Sequence, residues 1–256
     1  MKWIKDTWDK DRSPRIGIHH WQSGSGFEFA KGMAYWMDRL GMGKPAIVTT
    51  AKMGTIDYTT QVIRLKEANL DYVFSYDIAL GLFKDITRLG LKDKTTIIDL
   101  AALPNEGLPE VLGEAAKGIY GVSQYAMWTE ENVPGVKIMR QMNAKSHPAV
   151  KRRGDWYVMT WTGILTFKQA FESILKNGDF KDLTGANINK ALETIEFDMM
   201  GICPPIKHTP NNHLILDTKV RVLRHEGMGR FTAVSDWIEV PNWPEETLNL
   251  DWWKKK

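Results

Sequence analysis

The first candidate for chemistry is the stretch HHWQSGSGFEFAKG at residues 19–32, which follows a short apolar strand, RIGI, and leads into a helical pattern. A strand, a glycine-rich turn and a helix N-terminus commonly bind phosphate, because the first N–H groups of a helix lack partners within it. The N–H groups of residues 24–27 are therefore candidates to bind an oxygen-bearing or anionic group. A βα turn without any ligand is an equal alternative.

The glycines of this stretch do not match the fingerprints of three known site types. A dinucleotide fingerprint that begins at Gly24 would need glycine where Phe29 stands, and a P-loop that begins at Gly26 would need glycine where Lys31 stands. A nucleophile elbow around Ser25 would need glycine at Ser23. The sequence therefore does not support a nucleotide-binding or acyl-transfer site here.

The histidines and the cysteine do not predict a metal site. His19 and His20 are adjacent, so on a strand they point to opposite faces. His208 and His213 lie in a loop rich in proline and asparagine, where structural hydrogen bonding is the favoured role. Because Cys203 is the single cysteine, an internal disulfide and a cysteine-based metal site are excluded.

Two aspartates, Asp77 and Asp99, are the candidate carboxylates. Both fall near the carboxyl ends of predicted strands, where ligands bind in open α/β sheets. No histidine or lysine stands out as a partner for general acid–base catalysis, and Asp99 could equally cap a turn. The sequence therefore gives weak support for catalysis.

The elements that would position these residues alternate between strand and helix in the first half of the chain. The helix at 24–40 has apolar residues at helical spacing and ends at Gly41, and Asp57 is predicted to cap the next helix, with Val62, Ile63 and Leu65 facing inward. This alternation predicts a parallel sheet covered by helices on both faces. The predicted strands are 15–20, 44–51, 70–76, 95–101 and 119–128, and the helices between them are 24–40, 58–69, 78–90 and 108–118.

The second half of the chain is predicted to be mainly helical and to end in a hairpin. Amphipathic helices are expected at 133–146, 161–178 and 184–195, the last with Thr184 as its N-cap. Residues 218–240 alternate as two strands around a glycine-bearing turn, which predicts a β-hairpin.

Composition excludes several classes of protein. The 256 residues are 43% hydrophobic and 25% charged, which is ordinary for a globular protein. The net charge is +3 with scattered basic residues, so nucleic-acid binding is not expected. No apolar run reaches the roughly 18 residues that span a membrane, and the first residues lack the apolar region of a signal peptide. The 11 tryptophans predict either core packing or a tryptophan-lined cleft.

Several runs, taken in order, resemble a known family. Residues 15–42 resemble the opening of the second lobe in type I periplasmic substrate-binding proteins of ABC transporters, of the branched-chain amino acid type. The run GTIDYTTQVIRLKEANLDYVFSY at 54–76 is similar to the stretch after that lobe's second strand. Residues 114–128 resemble the segment that leads to the hinge, and residues 201–240 resemble the family's C-terminal part, ending near VSDW. The resemblance covers almost the whole chain.

The resemblance implies a two-lobed α/β fold with an incomplete first lobe. Residues 1–126 and 214–241 would form lobe 2, residues 128–205 a partial, mainly helical lobe 1, and residues 242–256 a C-terminal extension. Family members are longer at the N-terminus, where a signal peptide and the first half of lobe 1 lie. We therefore expect an exposed apolar helix face and a homodimer or another partner there. The residues of that face are Ile164, Phe167, Phe171 and Ile174.

The resemblance also places ligand-binding residues on the loops after the first, third and fourth strands of lobe 2. They are Trp21, Ser23 and Ser25, then Ser75, Tyr76 and Asp77, and finally Asp99, Leu100 and Ala101.

Two of these positions bear on the ligand. Amino-acid-binding members often have an acidic residue after the fourth strand that pairs with the ligand ammonium. Here Ala101 aligns with it, and a shift of two residues would place Asp99 there instead. With Ala101 in this position, an aromatic or aliphatic acid stacked on Trp21 and Tyr76 is expected rather than an α-amino acid. Ser25 stands where many members have an aromatic residue.

The function implied is that of an extracytoplasmic solute-binding component of an ABC importer, or a fragment of one. It would use no cofactor and catalyse no reaction. Two lobes would close over a small ligand by a hinge motion and present it to a membrane permease. A ligand-sensing regulator on the same fold and an α/β enzyme that uses Asp77 or Asp99 are the alternatives.

Overall fold

The computed structural model describes residues 1–78, 80–100, 111–210, 219–227 and 230–240. Strands of the main sheet follow the order β10-β8-β5-β4-β3-β1-β2, and β9 pairs with β8. The strands are β1 (Ile16–Trp21), β2 (Ile47–Ala51), β3 (Tyr72–Tyr76), β4 (Thr96–Asp99), β5 (Tyr120–Ser123), β6 (Glu196–Phe197), β7 (Ile206–Lys207), β8 (Lys219–Gly227), β9 (Arg230–Ala233) and β10 (Ile238–Glu239). The helices are α1 (Lys2–Thr7), α2 (Gly24–Arg39), α3 (Thr59–Glu67), α4 (Leu80–Arg88), α5 (Pro134–Ser146), α6 (Asp155–Leu175) and α7 (Gly185–Thr194).

The sheet is parallel at its centre and antiparallel at one edge. Strands β1 to β5 pair in parallel, which confirms the predicted parallel sheet. The predicted hairpin forms as β8 and β9, and β8 pairs antiparallel with β5 in the same sheet. The helix predicted at 108–118 lies partly outside the described residues, and within 111–118 a 3-10 helix covers Gly113–Ala115.

Helix boundaries largely follow the capping residues. Ser23 caps α2 through its side chain, and Gly41 follows the helix at a φ of +72°, as its predicted role requires. The Asp57 carboxylate accepts a hydrogen bond from the backbone N–H of Thr59 at 2.8 Å, one residue before the N-cap of α3. The expectation that Ile63 faces inward is wrong, because its side chain is 40% exposed. It lies away from the buried stripe of α3.

Apolar residues cover both faces of the sheet, as the alternating side-chain directions of a strand require. Helices α1 and α2 pack on one face, and α3 and α4 pack on the other. The first face buries Ile4, Met33 and Met37 with Ile16, Ile18, Phe74 and Ile98. The second face buries Val62, Leu65, Leu82, Phe83 and Ile86 with Val73 and Ile97.

Helices α5, α6 and α7 and the β6–β7 pair enclose a separate apolar cluster, which includes Val136, Val158 and Phe197. Helix α6 begins at Asp155, six residues before the predicted start. On α6, Ile164 and Phe167 are exposed, as expected. Phe171 and Ile174 are half-buried, so the expectation that they are exposed is wrong; Ile174 packs against the cluster.

A charged pair connects β8 with the segment that leads to α5. Both Nη atoms of Arg221 donate to the Glu130 carboxylate, and the guanidinium lies over the Trp237 ring. Burial disfavours the charged form of Glu130, but hydrogen bonds from Arg221 and from the Met127 N–H outweigh it and lower the Glu130 pKa. The pair thus anchors the crossover between the two apolar regions. Among the described residues, no helix is long and apolar enough to cross a membrane.

Asp71 stabilises the amino end of the sheet through hydrogen bonds. Its carboxylate accepts hydrogen bonds from both Nη atoms of Arg12 at 2.6 and 2.7 Å. It also accepts the Arg15 backbone N–H at 2.8 Å. The Arg12 hydrogen bonds, helped by the Arg15 N–H, lower the Asp71 pKa to about 2 despite burial.

Replacing Asp71 with asparagine should lower the free energy of unfolding by about 2 kcal/mol at pH 7. Because the folded-state pKa is depressed, this contribution is present above the unfolded pKa near 4 and is lost as the pH falls towards 2. Urea denaturation of both proteins at pH 7 and pH 3 measures it. Asp6→Asn is the control, because Asp6 makes an exposed i,i+4 ion pair with Lys2 and should change stability little. Equal effects of the two substitutions would contradict the assignment.

Candidate ligand site at the carboxyl edge of the sheet

The parallel strands bring most of the predicted site residues to one edge. In register, His19 of β1 lies beside Ser75 of β3, and Ser75 lies beside Asp99 of β4. Trp21 and Tyr76 end β1 and β3 at this same edge. Ala101 lies outside the described residues. Leu100 follows β4, and its N–H donates to the Ser75 carbonyl at 3.0 Å.

The turn after β1 is largely closed by its own hydrogen bonds. Ser23 Oγ accepts the Gly26 N–H at 3.0 Å and lies 3.0 Å from Ser25 Oγ, while the Ser23 carbonyl accepts the Phe27 N–H. Two of the four N–H groups at residues 24–27 are therefore already occupied, which weakens the expected anion site. A Cβ on Gly26 would lie 2.2 Å from the Trp21 carbonyl oxygen, so only glycine allows this close approach of α2 to β1.

Aromatic rings stand on both sides of the end of β3. Tyr76 stacks on Phe29 with ring centroids 5.0 Å apart, and Trp21 meets Tyr76 edge to face at 6.2 Å. Such geometry fixes the ring orientations. The Trp21 Nε1 atom is buried and has no hydrogen-bond partner among the described residues.

The two histidines lie on opposite faces, as predicted. His20 Nδ1 lies 2.8 Å from the Trp21 carbonyl, whereas His19 Nε2 lies 3.3 Å from Asp77 Oδ2 and its Nδ1 lies 2.9 Å from Thr49 Oγ1. No cluster of three metal-ligating side chains occurs in the part of the chain that the structure describes.

Asp77 is buried and accepts a second hydrogen bond, from the Tyr58 hydroxyl at 3.1 Å. Burial and the nearby Asp77 charge raise the Tyr58 pKa far above its ordinary value, so this hydroxyl stays protonated and donates. The Tyr58 N–H donates in turn to Asp85 Oδ2 at 2.8 Å. Asp77 is thus a structural acceptor, and no pattern in the sequence indicates its partner Tyr58.

A cavity of about 590 Å³ opens beside these residues, a size typical of small-molecule sites. It lies between the connection after β2, the end of β3 and the first turns of α4. Two predicted residues, Trp21 and Asp77, line it. The other lining residues are Met53, Gly54, Thr55, Ile56, Ile78, Leu80, Gly81, Lys84 and Asp85.

The lining residues that the sequence analysis does not predict have one property in common. They follow β2 or β3, so the rule that ligands bind beyond the carboxyl ends of strands covers them as it covers Trp21. Gly81 marks the point of closest approach, because a Cβ there would lie 2.3 Å from the Ile56 carbonyl oxygen. The loop and α4 therefore form a common wall.

A family model described as periplasmic binding protein matches residues 22–228, most of the chain. The chain belongs to this family. No curated protein matches it in sequence. The similar solved structures have the type I periplasmic-binding-protein fold.

Among them is a branched-chain amino acid ABC transporter protein from Thermus thermophilus with bound valine. It has a TM-score of 0.78 and 18% identity, over 93% of this chain and 63% of that one. A substrate-binding protein from Sphaerobacter thermophilus has a TM-score of 0.76 and 18% identity, over 93% and 63%. A solute-binding protein from R. palustris in complex with benzoate has a TM-score of 0.67 and 14% identity, over 88% and 60%. This chain thus spans less than two thirds of their length.

Substituting Gly81 with alanine should destabilise the protein by about 1–3 kcal/mol, because the new methyl group meets backbone that must shift. The matched control is Gly163→Ala in α6, where a Cβ meets nothing within 4 Å and alanine's helix propensity should stabilise by up to about 1 kcal/mol. Denaturation midpoints of the two variants measure the difference. A neutral Gly81→Ala would show that the loop does not press on α4.

Proposed function

We propose that the chain is the solute-binding component of an ABC importer, or a fragment of one, and that it binds a small amino acid or organic acid. The observation that carries the proposal is the cavity at the carboxyl edge, which adjoins Trp21 and Asp77 and has apolar walls. Concave, mainly apolar sites with a few polar groups are typical of small-ligand binding.

The ligands of similar proteins support this class of solute. The Thermus protein was solved with valine and the R. palustris protein with benzoate, and a protein from Thermomonospora curvata is described as a fatty acid transporter component. All three solutes combine a carboxylate with an apolar body. The same combination would suit a cavity whose walls include Met53, Ile56 and Leu80.

The division into lobes is part of the proposal. Residues 1–126 and 214–241 would form lobe 2, residues 128–205 a partial lobe 1, and residues 242–256 an extension. The separate apolar cluster of α5–α7 supports this division. Ligand binding would close the lobes about the crossover that Glu130 and Arg221 anchor. Of the predicted residues, Ser23, Ser25, Ser75, Tyr76, Asp99 and Ala101 remain proposed ligand neighbours.

The family supports a proposal for the partner and for the location. A binding protein of this kind would act outside the cytoplasm, deliver its solute to a membrane permease and return the ligand chemically unchanged. An enzyme acting through Asp77 or Asp99 would convert it, and a regulator would bind a partner protein only with ligand present. Mass spectrometry of ligand recovered after incubation distinguishes the enzyme from the binding protein.

A thermal-shift screen of amino acids, aromatic acids and short aliphatic acids should find a compound that raises the melting temperature. Trp21→Ala should then weaken its binding about tenfold or more, since the indole ring offers a ligand a large apolar contact surface. Trp156→Ala is the control, because Trp156 is exposed on α6. If no compound raises the melting temperature, the proposed function is contradicted. If Trp21→Ala and Trp156→Ala bind the ligand with equal affinity, Trp21 is not part of the site.

We also propose that the exposed face of α6 pairs two copies of the chain. Ile164 is 57% and Phe167 is 49% exposed, and Met159, five residues before Ile164, is also exposed. Sedimentation should show a dimer that Phe167→Glu converts to monomer, whereas Ile56→Glu, at an exposed apolar site in the connection after β2, should leave the dimer intact. A monomeric wild-type protein would contradict this pairing.

A further inference from the structure

The acidic groups of the cavity are already bonded within the protein. Asp77 Oδ2 accepts from the Tyr58 hydroxyl and faces His19 Nε2. Asp85 accepts the Tyr58 N–H through Oδ2, and through Oδ1 it accepts Arg88 Nε at 3.0 Å and Nη2 at 2.8 Å. The charge of Asp85 is thus balanced by Arg88. A ligand ammonium would have to compete with these internal donors.

The side-chain nitrogens of Trp21 and Lys84, in contrast, line the cavity and have no hydrogen-bond acceptor within the described part of the protein. Trp21 Nε1 is a donor only, and it is buried with no acceptor within the described ranges. Lys84 lines the same cavity from the second turn of α4, and no described residue forms a hydrogen bond or ion pair with its ammonium. A buried donor without an acceptor is costly, so a bound acceptor would relieve that cost. This cost applies to the buried Trp21 Nε1, whereas Lys84 is exposed and offers an ammonium that a ligand anion entering the cavity can reach.

The remaining walls match an apolar body. Met53 is 69% and Ile56 is 87% exposed, and Ile78 is also exposed, all three lining the cavity. Exposed apolar side chains that are scattered singly need no explanation, but three around one opening mark a binding surface. Covering them would remove apolar area from water and add to affinity.

We propose that this cavity binds a monocarboxylate with a branched aliphatic or aromatic body and without an α-ammonium group. Lys84 forms a charge-assisted hydrogen bond with the carboxylate, Trp21 Nε1 donates to one of its oxygens, and Met53, Ile56 and Ile78 cover the apolar body. The inference rests on the proposed solute-binding function and narrows its ligand class. Lys84 is then the specificity-determining residue.

Three probes with the same branched aliphatic side chain test the ligand class by isothermal titration calorimetry on the full chain at pH 7.5. They are 4-methylpentanoate, leucine, which adds the α-ammonium group, and 3-methylbutylamine, which lacks the carboxylate. Benzoate serves as an aromatic acid. We expect the two acids to bind at least about tenfold more tightly than leucine, and the amine to give no heat.

Lys84→Gln should weaken binding of the acids by about tenfold or more, and Lys84→Arg should restore part of it. Lys190→Gln on α7 removes the same charge far along the chain and should leave affinity unchanged. Circular dichroism confirms that each variant is folded.

The outcomes separate the inference from the function on which it rests. If leucine binds more tightly than the acids, or if Lys84→Gln binds the acids as well as Lys190→Gln does, the ligand class is wrong while solute binding stands. If the wild-type protein binds none of these probes and no compound of the wider thermal-shift screen, the proposed function is contradicted. The inference about the ligand class is then contradicted as well.

Discussion

The Asp77 carboxylate holds together three connections at the carboxyl edge of the sheet. It receives the Tyr58 hydroxyl from the start of α3 and lies within hydrogen-bond distance of His19 on β1, while it follows β3 in the chain. In a neutral His19 imidazole whose Nε2 donates to this carboxylate, Nδ1 accepts from the Thr49 hydroxyl. A buried charge is tolerated when such bonds compensate it. The positions of the loops that wall the cavity therefore depend on this network.

The strands and helices of the sheet could be predicted from the sequence because the patterns that indicate them are local. Strand and helix periodicity, the Gly41 and Thr184 caps and the opposite faces of His19 and His20 all depend on neighbouring residues, and each was found as predicted. Ile63 was misassigned because three apolar residues in one helical turn cannot all face the core. The exposure of Phe171 was misjudged because it depends on packing against elements distant in sequence.

The candidate site was less predictable for the same reason. Asp77 is predicted because it follows a strand, and Trp21 because the family resemblance places the loop after β1 beside the ligand; both line the cavity. Lys84 is not predicted, because it reaches the cavity only when α4 closes against the loop at Ile56, and Gly81 permits that contact. Ser23 is expected to bind a ligand, yet its hydroxyl caps α2, a role for which serine is one of the preferred residues. Residue type alone does not separate the two roles.

The buried polar groups along the sheet differ in how completely their hydrogen bonds are satisfied. At the amino end, Asp71 accepts three hydrogen bonds from Arg12 and Arg15. At the carboxyl end, Ser75 Oγ and Trp21 Nε1 are buried without a partner among the described residues. Each such atom costs about 1–3 kcal/mol. Proteins retain costs of this kind mainly at functional sites, where a ligand supplies the missing bond. His225 Nε2, beside the start of β5, is also buried without a partner among the described residues, so an unsatisfied atom alone does not mark a site. Trp21 differs from it because Trp21 lines the cavity, where the proposed ligand would supply the missing bond.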